Sequence, residues 1–384
     1  MSASTARLRV VVAIHRYSSP YEHISRFICL RATDVFMSDF EYDLLVDLTE
    51  ERGVPGYEDR VRELVREALE PHVDRVRSDA MGNLVGSVGD GDYDVVVPAH
   101  MDEIGFMVKH IGDDGFLELD ALGGWDPRIL RAQRVTVHTE NGDLPGLIGS
   151  VPPHTLSEAE REKTPDVEDV NVDLGLDAED VEEHVAVGDL VTMDQSTARV
   201  GEFISGKSLD NRVSVFAMLE AARRIDDPDV TIHFAATTQE EVGLRGAEAL
   251  GVDLDPDLVL ALDTTVANDV PGFEAGERVT ELGDGAGIKL KDSSVITNHK
   301  VHRRLRTVAR TEDIDHQFEV LPAGGTDTGG LQRTSGATPA GAISVPTRYL
   351  HTPTESVHED DVGDVIDLIV AFLESEDGTN DYTL

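Results

Sequence analysis

Apolar and polar positions follow two different rhythms along this chain. Leu44, Leu45 and Leu48, then Val61, Leu64, Val65 and Leu69, recur at helical spacing in an acidic amphipathic stretch that begins at Met37. Asp94-Val-Val-Val-Pro-Ala is instead a short continuous apolar run ending at His100, as expected of a strand buried on both faces. After Gly105 short alternating segments take over, broken by Gly and Asp: Arg134-Val-Thr-Val-His-Thr, Gly146-Leu-Ile-Gly-Ser-Val and Gly188-Asp-Leu-Val-Thr-Met. That texture predicts a small β-barrel. The charged stretch from Ser157 to Asp169 inside it reads as a mobile loop.

From Ser208 the mixed rhythm resumes. Helices are expected over Leu209–Ile225, near Gly246–Leu250, over Val301–Arg310 and over Asp360–Glu374. Strands are expected over Val230–Ala236, Leu258–Leu262 and Ala342–Val345. No internal repeat is visible. The predicted fold class is α/β: a mixed-sheet domain built from residues 37–105 and 200–384, interrupted by a barrel over 106–199.

Composition narrows the possibilities. With 384 residues, 40% of them hydrophobic, the chain can bury a large core. The 33 basic and 75 acidic residues give a net charge of -42, which repels nucleic acid and anionic lipid and so argues against either as a partner. Only six of the basic residues are Lys, a balance that reads as halophilic adaptation rather than as an ordinary acidic enzyme. Cys29 is the only cysteine, so no intrachain disulfide forms and a reducing cytoplasm is expected. No apolar run approaches the roughly 18 residues of a membrane helix, and Val10–Ile14 is too short for a signal-peptide core. Residues 1–36 stand apart, with five Arg against Glu22 and Asp34. They are either a genuine tail or the product of a start codon placed upstream of a true start at Met37; their composition favours the second.

In open α/β sheets ligands bind beyond the carboxyl ends of the strands. Just past the predicted strands stand His100-Met-Asp102, Gln239-Glu240-Glu241, Asp263, and the loop Pro346-Thr-Arg-Tyr-Leu-His351; Asp210 starts the helix after Gly206-Lys-Ser-Leu. Singly, each residue has an ordinary explanation as a cap, a turn former or a hydrogen-bonded histidine. Together, two His and three carboxylates make a nitrogen–oxygen donor set suited to Zn, Co or Mn, and five ligands with one able to bridge suggest two ions about 3.5–4 Å apart. His100 and Asp102 lie two apart and point to one side of an extended chain, so Asp102 is placed to accept the other ring proton of His100. Of the adjacent pair Glu240 and Glu241, one can ligate while the other serves as general base. His110, His138, His154 and His233 carry no such context, and His358 looks like a surface or capping residue.

The blocks Pro98-Ala-His100-Met-Asp102-Glu-Ile-Gly-Phe-Met, Gly206-Lys-Ser-Leu-Asp210-Asn-Arg, Thr238-Gln-Glu240-Glu241-Val-Gly-Leu-Arg-Gly, Ala261-Leu-Asp263 and Arg348-Tyr-Leu-His351-Thr-Pro-Thr-Glu resemble the tetrahedral, or glutamyl, aminopeptidase family of metallopeptidases, in order from Met37 to the C-terminus. The resemblance implies a two-metal exopeptidase acting on peptides. In it His100 and Asp263 bind one divalent ion, Glu241 and His351 bind the other, and Asp210 bridges them. Glu240 is the base and Asp102 supports His100. It also implies that the barrel dimerises and that dimers build a hollow dodecamer. The Gly-rich stretch Ala323-Gly-Gly-Thr-Asp327-Thr-Gly-Gly is expected to approach the substrate, since Gly lets backbone come close to a ligand. A related two-metal deacylase or carboxypeptidase would carry an α/β lid in place of the barrel. An endoglucanase would need aromatic platforms, which one Trp and 5% aromatic residues hardly supply.

The charge yields a first prediction. The Debye length falls from about 10 Å at 0.1 M salt to about 3 Å at 1 M, so carboxylate repulsion is severe only in dilute salt. Activity and assembly should rise toward molar KCl. Unchanged activity and stability after dialysis to low salt would remove the halophilic reading.

Overall fold

A computed structural model describes residues 41–384 of the protein. The basic segment 1–36, with Cys29, and the first residues of the acidic stretch lie outside the described residues. Four strands run parallel through the centre of one mixed sheet, in the order Thr231–Thr237, Asp94–His100, Leu258–Val266 and Ala340–Arg348. Antiparallel strands extend it on both sides, Leu84–Val88 and Arg75–Ser78 beyond one edge, and Glu355–His358, Phe203–Gly206 and Ala198–Val200 beyond the other. Ala286–Lys291 also pairs with Ala340–Arg348 and carries His316–Val320 beside it.

The central strands are apolar on both faces because helices cover both. Val95, Val97 and Ala99 point into the larger core with Val213, Phe216, Ala217 and Ile366, whereas Val96 points the other way, toward Ala247, Leu250 and Leu331. The helix Leu209–Arg224 is buried all round from Leu209 to Ala222. Truncating a side chain such as Phe216 there would cost about 3–5 kcal/mol. Even Arg212 is fully buried. Its guanidinium donates to the carbonyls of Met101 (2.6 Å), Leu48 (2.5 Å) and Glu51 (2.9 Å), and lies 3.7 Å from the Glu103 carboxylate.

The segment Gly105–Met193 closes into a six-stranded antiparallel barrel, in the order Gly105–Ile111, Leu117–Leu122, Asn171–Asp173, Gly142–Ile148, Gln133–Thr139 and Leu190–Met193. Alternate residues such as Leu117 and Leu119, and Val135 and Val137, fill its interior. It is no α/β lid. The stretch expected as a loop holds a short helix, Glu158–Glu162, and a turn in which Lys163 pairs with Asp169 at 2.6 Å. Two strands run past their expected ends. Thr264, Thr265 and Val266 continue the ladder beyond Leu262, so Asp263 sits inside its strand rather than after it. Ala340–Arg348 likewise runs past Val345, and a further strand, Glu355–His358, follows it.

The final helix, Glu359–Glu374, begins with Glu359, Asp360 and Asp361. Burial first, and then Asp315, Asp361, Asp367 and Asp360, push the Asp364 carboxyl from its ordinary 3.8 up to about 7. The fold thus binds this proton more tightly than the unfolded chain, and stability present at low pH is lost as pH rises between those values. Asp364→Asn should therefore raise the melting temperature at pH 8, with the gain shrinking toward pH 5; a calorimetric series across pH measures it, and a gain independent of pH would refute the assignment.

Candidate metal centre

The carboxyl ends of the four parallel strands meet on one edge of the sheet. His100 is the last residue of Asp94–His100, Asp263 lies near the end of Leu258–Val266, and Thr231–Thr237 leads directly into Thr238-Gln-Glu240-Glu241. That last turn is tied down locally. The Asn83 side chain accepts from Thr238 N at 3.0 Å, and Gly246 N returns to Thr238 O at 3.0 Å. A Cβ on Gly246 would lie 2.3 Å from that carbonyl, so the close approach requires glycine. The Asp102 carboxylate accepts from Glu240 N and Glu241 N, both at 3.1 Å, and Glu58 accepts from Gln239 N at 3.2 Å. Three consecutive N–H groups are thereby spent on two buried carboxylates, and the adjacent glutamates are held with fixed directions.

All seven residues singled out in the sequence gather in this patch. His100 Nε2 stands 3.4 Å from Asp210 Oδ1, 3.8 Å from Asp263 Oδ1 and 4.0 Å from Glu240 Oε2. His351 Nε2 stands 3.3 Å from Asp210 Oδ2 and 3.6 Å from Glu241 Oε1. Asp210 therefore gives one oxygen to each histidine. Both rings have their Nδ1 engaged elsewhere, His100 with the main-chain carbonyl of Asp102 (3.2 Å) and His351 with that of Gly124 (2.9 Å). Each consequently turns Nε2 toward the cluster. Asp102 meets the His100 ring through its carbonyl, while its carboxylate, 3.6 Å from Nδ1, is committed to the glutamate turn.

These residues fit a pair of divalent cations. Ligands about 2.0 Å from a tetrahedral ion stand roughly 3.3 Å apart, close to the donor separations here. Asp210 Oδ1 is buried without a hydrogen-bond partner, and the donors fall into the sets His100–Asp210–Asp263, Asp210–Glu241–His351 and His100–Glu240–Glu241, of which the first two share Asp210. Among the described residues no Lys or Arg forms an ion pair with Asp102, Asp210, Glu240, Glu241 or Asp263; Lys289, which lines the cleft, is spent on Glu319 and Asp292. Uncompensated buried charge is costly. The protonation of the cluster reflects this. Burial, and then the neighbouring carboxylates, drives Glu240 and Asp263 well above the usual carboxylate range, and burial and Asp210 lift Glu241 to about 7. Burial opposes charge on His351, but Asp210 and Glu241 overcome it and raise the ring to about 10. Asp210 is held low despite its burial, through His100 and His351.

The open cleft over the cluster has a volume of about 520 Å³. Thr264–Val266, Leu321, Leu350 and the Gly-rich stretch Ala323–Thr326 wall it, which places that stretch at the cleft as its composition suggests. The barrel reaches the site through Gly123-Gly124. Gly123 has φ +95°, and a Cβ there would meet Ile104 at 2.4 Å, so its position is open to glycine alone. Sequence reasoning missed this loop, since its contribution is a carbonyl; the Gly pair was the only available signal. It also missed Glu58, which lies far upstream and contacts only backbone. The other histidines lie elsewhere: His233 binds Ser87 and Asp94, His138 binds Asp143 and Thr192, and His358 caps the final helix.

Residues 82–368 match the model of the M42 glutamyl aminopeptidases. The chain belongs to this family. It is 33% identical to the lysyl aminopeptidase of Pyrococcus furiosus over 340 residues, covering 87% of this chain and 97% of that one. Its structure is similar to that of an aminopeptidase from the archaeon Desulfurococcus kamchatkensis, with a TM-score of 0.84 and 37% identity over 87% of this chain and 94% of the other. It is also similar to the TET1 peptidase of Pyrococcus horikoshii, with a TM-score of 0.79 and 32% identity over 87% and 99%. The protein is thus a metallo-aminopeptidase, a hydrolase of a metal-dependent family. Among its described residues no helix is long and apolar enough to cross a membrane.

Proposed function

We propose that the cleft removes single residues from the N-terminus of peptides by a two-metal reaction with Glu240 as general base. The observation that carries this reading is the Asp210 carboxylate, whose two oxygens face different histidines. His100 and Asp263 would hold one ion, Glu241 and His351 the other, and Asp210 would bridge. Two divalent cations, zinc or cobalt by the donor set with manganese also compatible, would lower the pKa of a shared water and polarise the scissile carbonyl.

The chain's own groups do the rest. His100 and His351 keep Nε2 directed inward because their Nδ1 protons are held by carbonyls. Glu240 stands 4.0 Å from His100 and could join a donor set with His100 and Glu241, but it belongs to neither set that shares Asp210; in this reading it accepts a proton from water and passes it to the departing amine. Thr264–Val266 and Ala323–Thr326 flank the peptide, and the free amine of the substrate supplies a cation where the cleft has no unpaired one of its own.

Dimerisation through the barrel, and assembly of dimers into a dodecamer, belong to the same proposal. It draws on the TET1 peptidase of Pyrococcus horikoshii, described as assembling into a tetrahedron or a large octahedral shell.

Exopeptidase action is tested with short peptides bearing free or acetylated N-termini. Stepwise loss of residues from the free peptides alone is expected, and equal cleavage of both would overturn the proposal. The two glutamates separate in a second experiment. Glu240→Gln should keep both metals and lose roughly 10² to 10⁴-fold in turnover. Glu241→Gln should lose one metal and recover in part with added metal. Metal content per chain, measured beside turnover, would reverse the two roles if Glu240→Gln were the variant that lost an ion.

A further inference from the structure

The block that ends in His351-Thr-Pro-Thr-Glu355 contains a carboxylate that the two-metal mechanism does not use. Glu355 opens the strand Glu355–His358 and is 2% exposed. Its Oε1 accepts from His351 N at 2.8 Å and its Oε2 from Asp210 N at 2.9 Å. Two ligand-bearing stretches, far apart in sequence, therefore hang their main chains on one side chain.

Both stretches need such an anchor. His100 and Asp263 are placed by the strands that contain them, through ladder hydrogen bonds within the sheet. Asp210 and His351 have no ladder. Asp210 departs from helical geometry at the head of its helix (φ -77°, ψ 106°), and His351 has a φ of +58° in a turn between strands. Among the described residues Glu355 forms no ion pair with Lys or Arg; it is buried close to Asp210, and of its ionisable neighbours only the His351 ring favours its charge. An acid in that environment is costly. The two N–H bonds are what it provides.

We propose that Glu355 is a positioning residue that fixes the separation of Asp210 and His351, and thereby selectively sets the affinity of the Asp210–Glu241–His351 donor set for its ion. This inference rests on the two-metal reading. The His100–Asp210–Asp263 set has two of its three ligands locked by the sheet and depends on Glu355 much less.

The test is metal stoichiometry and affinity, measured on purified full-length protein dialysed against a series of buffered free zinc concentrations. Glu355→Gln is nearly isosteric, but its amide oxygen can accept only on one side and its NH₂ cannot accept on the other. One ion should bind as in the unaltered protein, while the second weakens roughly 10- to 100-fold, the usual effect of losing an outer-sphere support. Turnover should return with excess zinc, and the melting temperature of the metal-free protein should change little. Glu355→Asp serves as the second variant and covers the case in which Glu355→Gln fails to fold. It keeps the charge but is one methylene shorter, so it cannot span both N–H groups and should show the same selective loss.

Unchanged affinity for both ions in either variant would overturn the proposal. So would equal weakening of both ions with a fall in melting temperature, since that marks a general structural role. If the unaltered protein itself binds a single ion, the two-metal reading fails, and this result is read from the unaltered protein alone.

Discussion

The arrangement of this molecule depends on one carboxylate, that of Asp210, being shared between two imidazoles. Oδ1 faces His100 and Oδ2 faces His351, and neither contact is short enough to be a hydrogen bond of ordinary strength. Everything around the pair keeps them at that distance. The parallel strands bring His100 and Asp263 to one edge, the helix Leu209–Arg224 brings Asp210 to meet them, and two main-chain carbonyls fix the direction of the rings. The cost is a patch of carboxylates with no Lys or Arg paired to them. Cations would offset that cost, and the donor geometry fits divalent ions.

Much of this was legible in the sequence. Apolar runs in Asp94–Ala99, Val230–Ala236, Leu258–Leu262 and Ala342–Val345 pointed to the central strands, and the rule that ligands gather past their carboxyl ends led to His100, Glu240, Glu241, Asp263 and His351. Alternation within 106–199 pointed to the barrel. The misses share a cause. Thr264–Val266 extend their strand because β-branched residues keep pairing with Val345, Pro346 and Thr347, and periodicity says little about where a ladder stops. Glu58 and Glu355 act by accepting main-chain N–H groups, an interaction that leaves no spacing rule behind, since any acid at the right place in three dimensions would serve; Asp102 was found by its spacing from His100, but its carboxylate serves the glutamate turn in the same way. Gly124 acts through a carbonyl and is invisible for the same reason.

Two levels of support can therefore be distinguished around the cluster. Ligands on strands inherit their positions from the sheet, whose ladders would persist with other side chains. Site residues on turns, namely Asp210, Glu240, Glu241 and His351, inherit theirs from buried carboxylates. Acid side chains are well suited to the task, because each has two oxygens and can collect N–H groups from separate segments.

The Gly124 carbonyl has a consequence of another kind. It belongs to the barrel, yet it engages Nδ1 of His351 and so leaves Nε2 to face the cluster. The barrel is thus covalently an insertion and structurally a part of the candidate site. A shortened protein joining residue 104 to residue 195 could keep the whole sheet and all seven site side chains and still leave the His351 ring without the acceptor that orients it. The modular boundary drawn by topology and the functional boundary drawn by hydrogen bonds do not coincide in this chain.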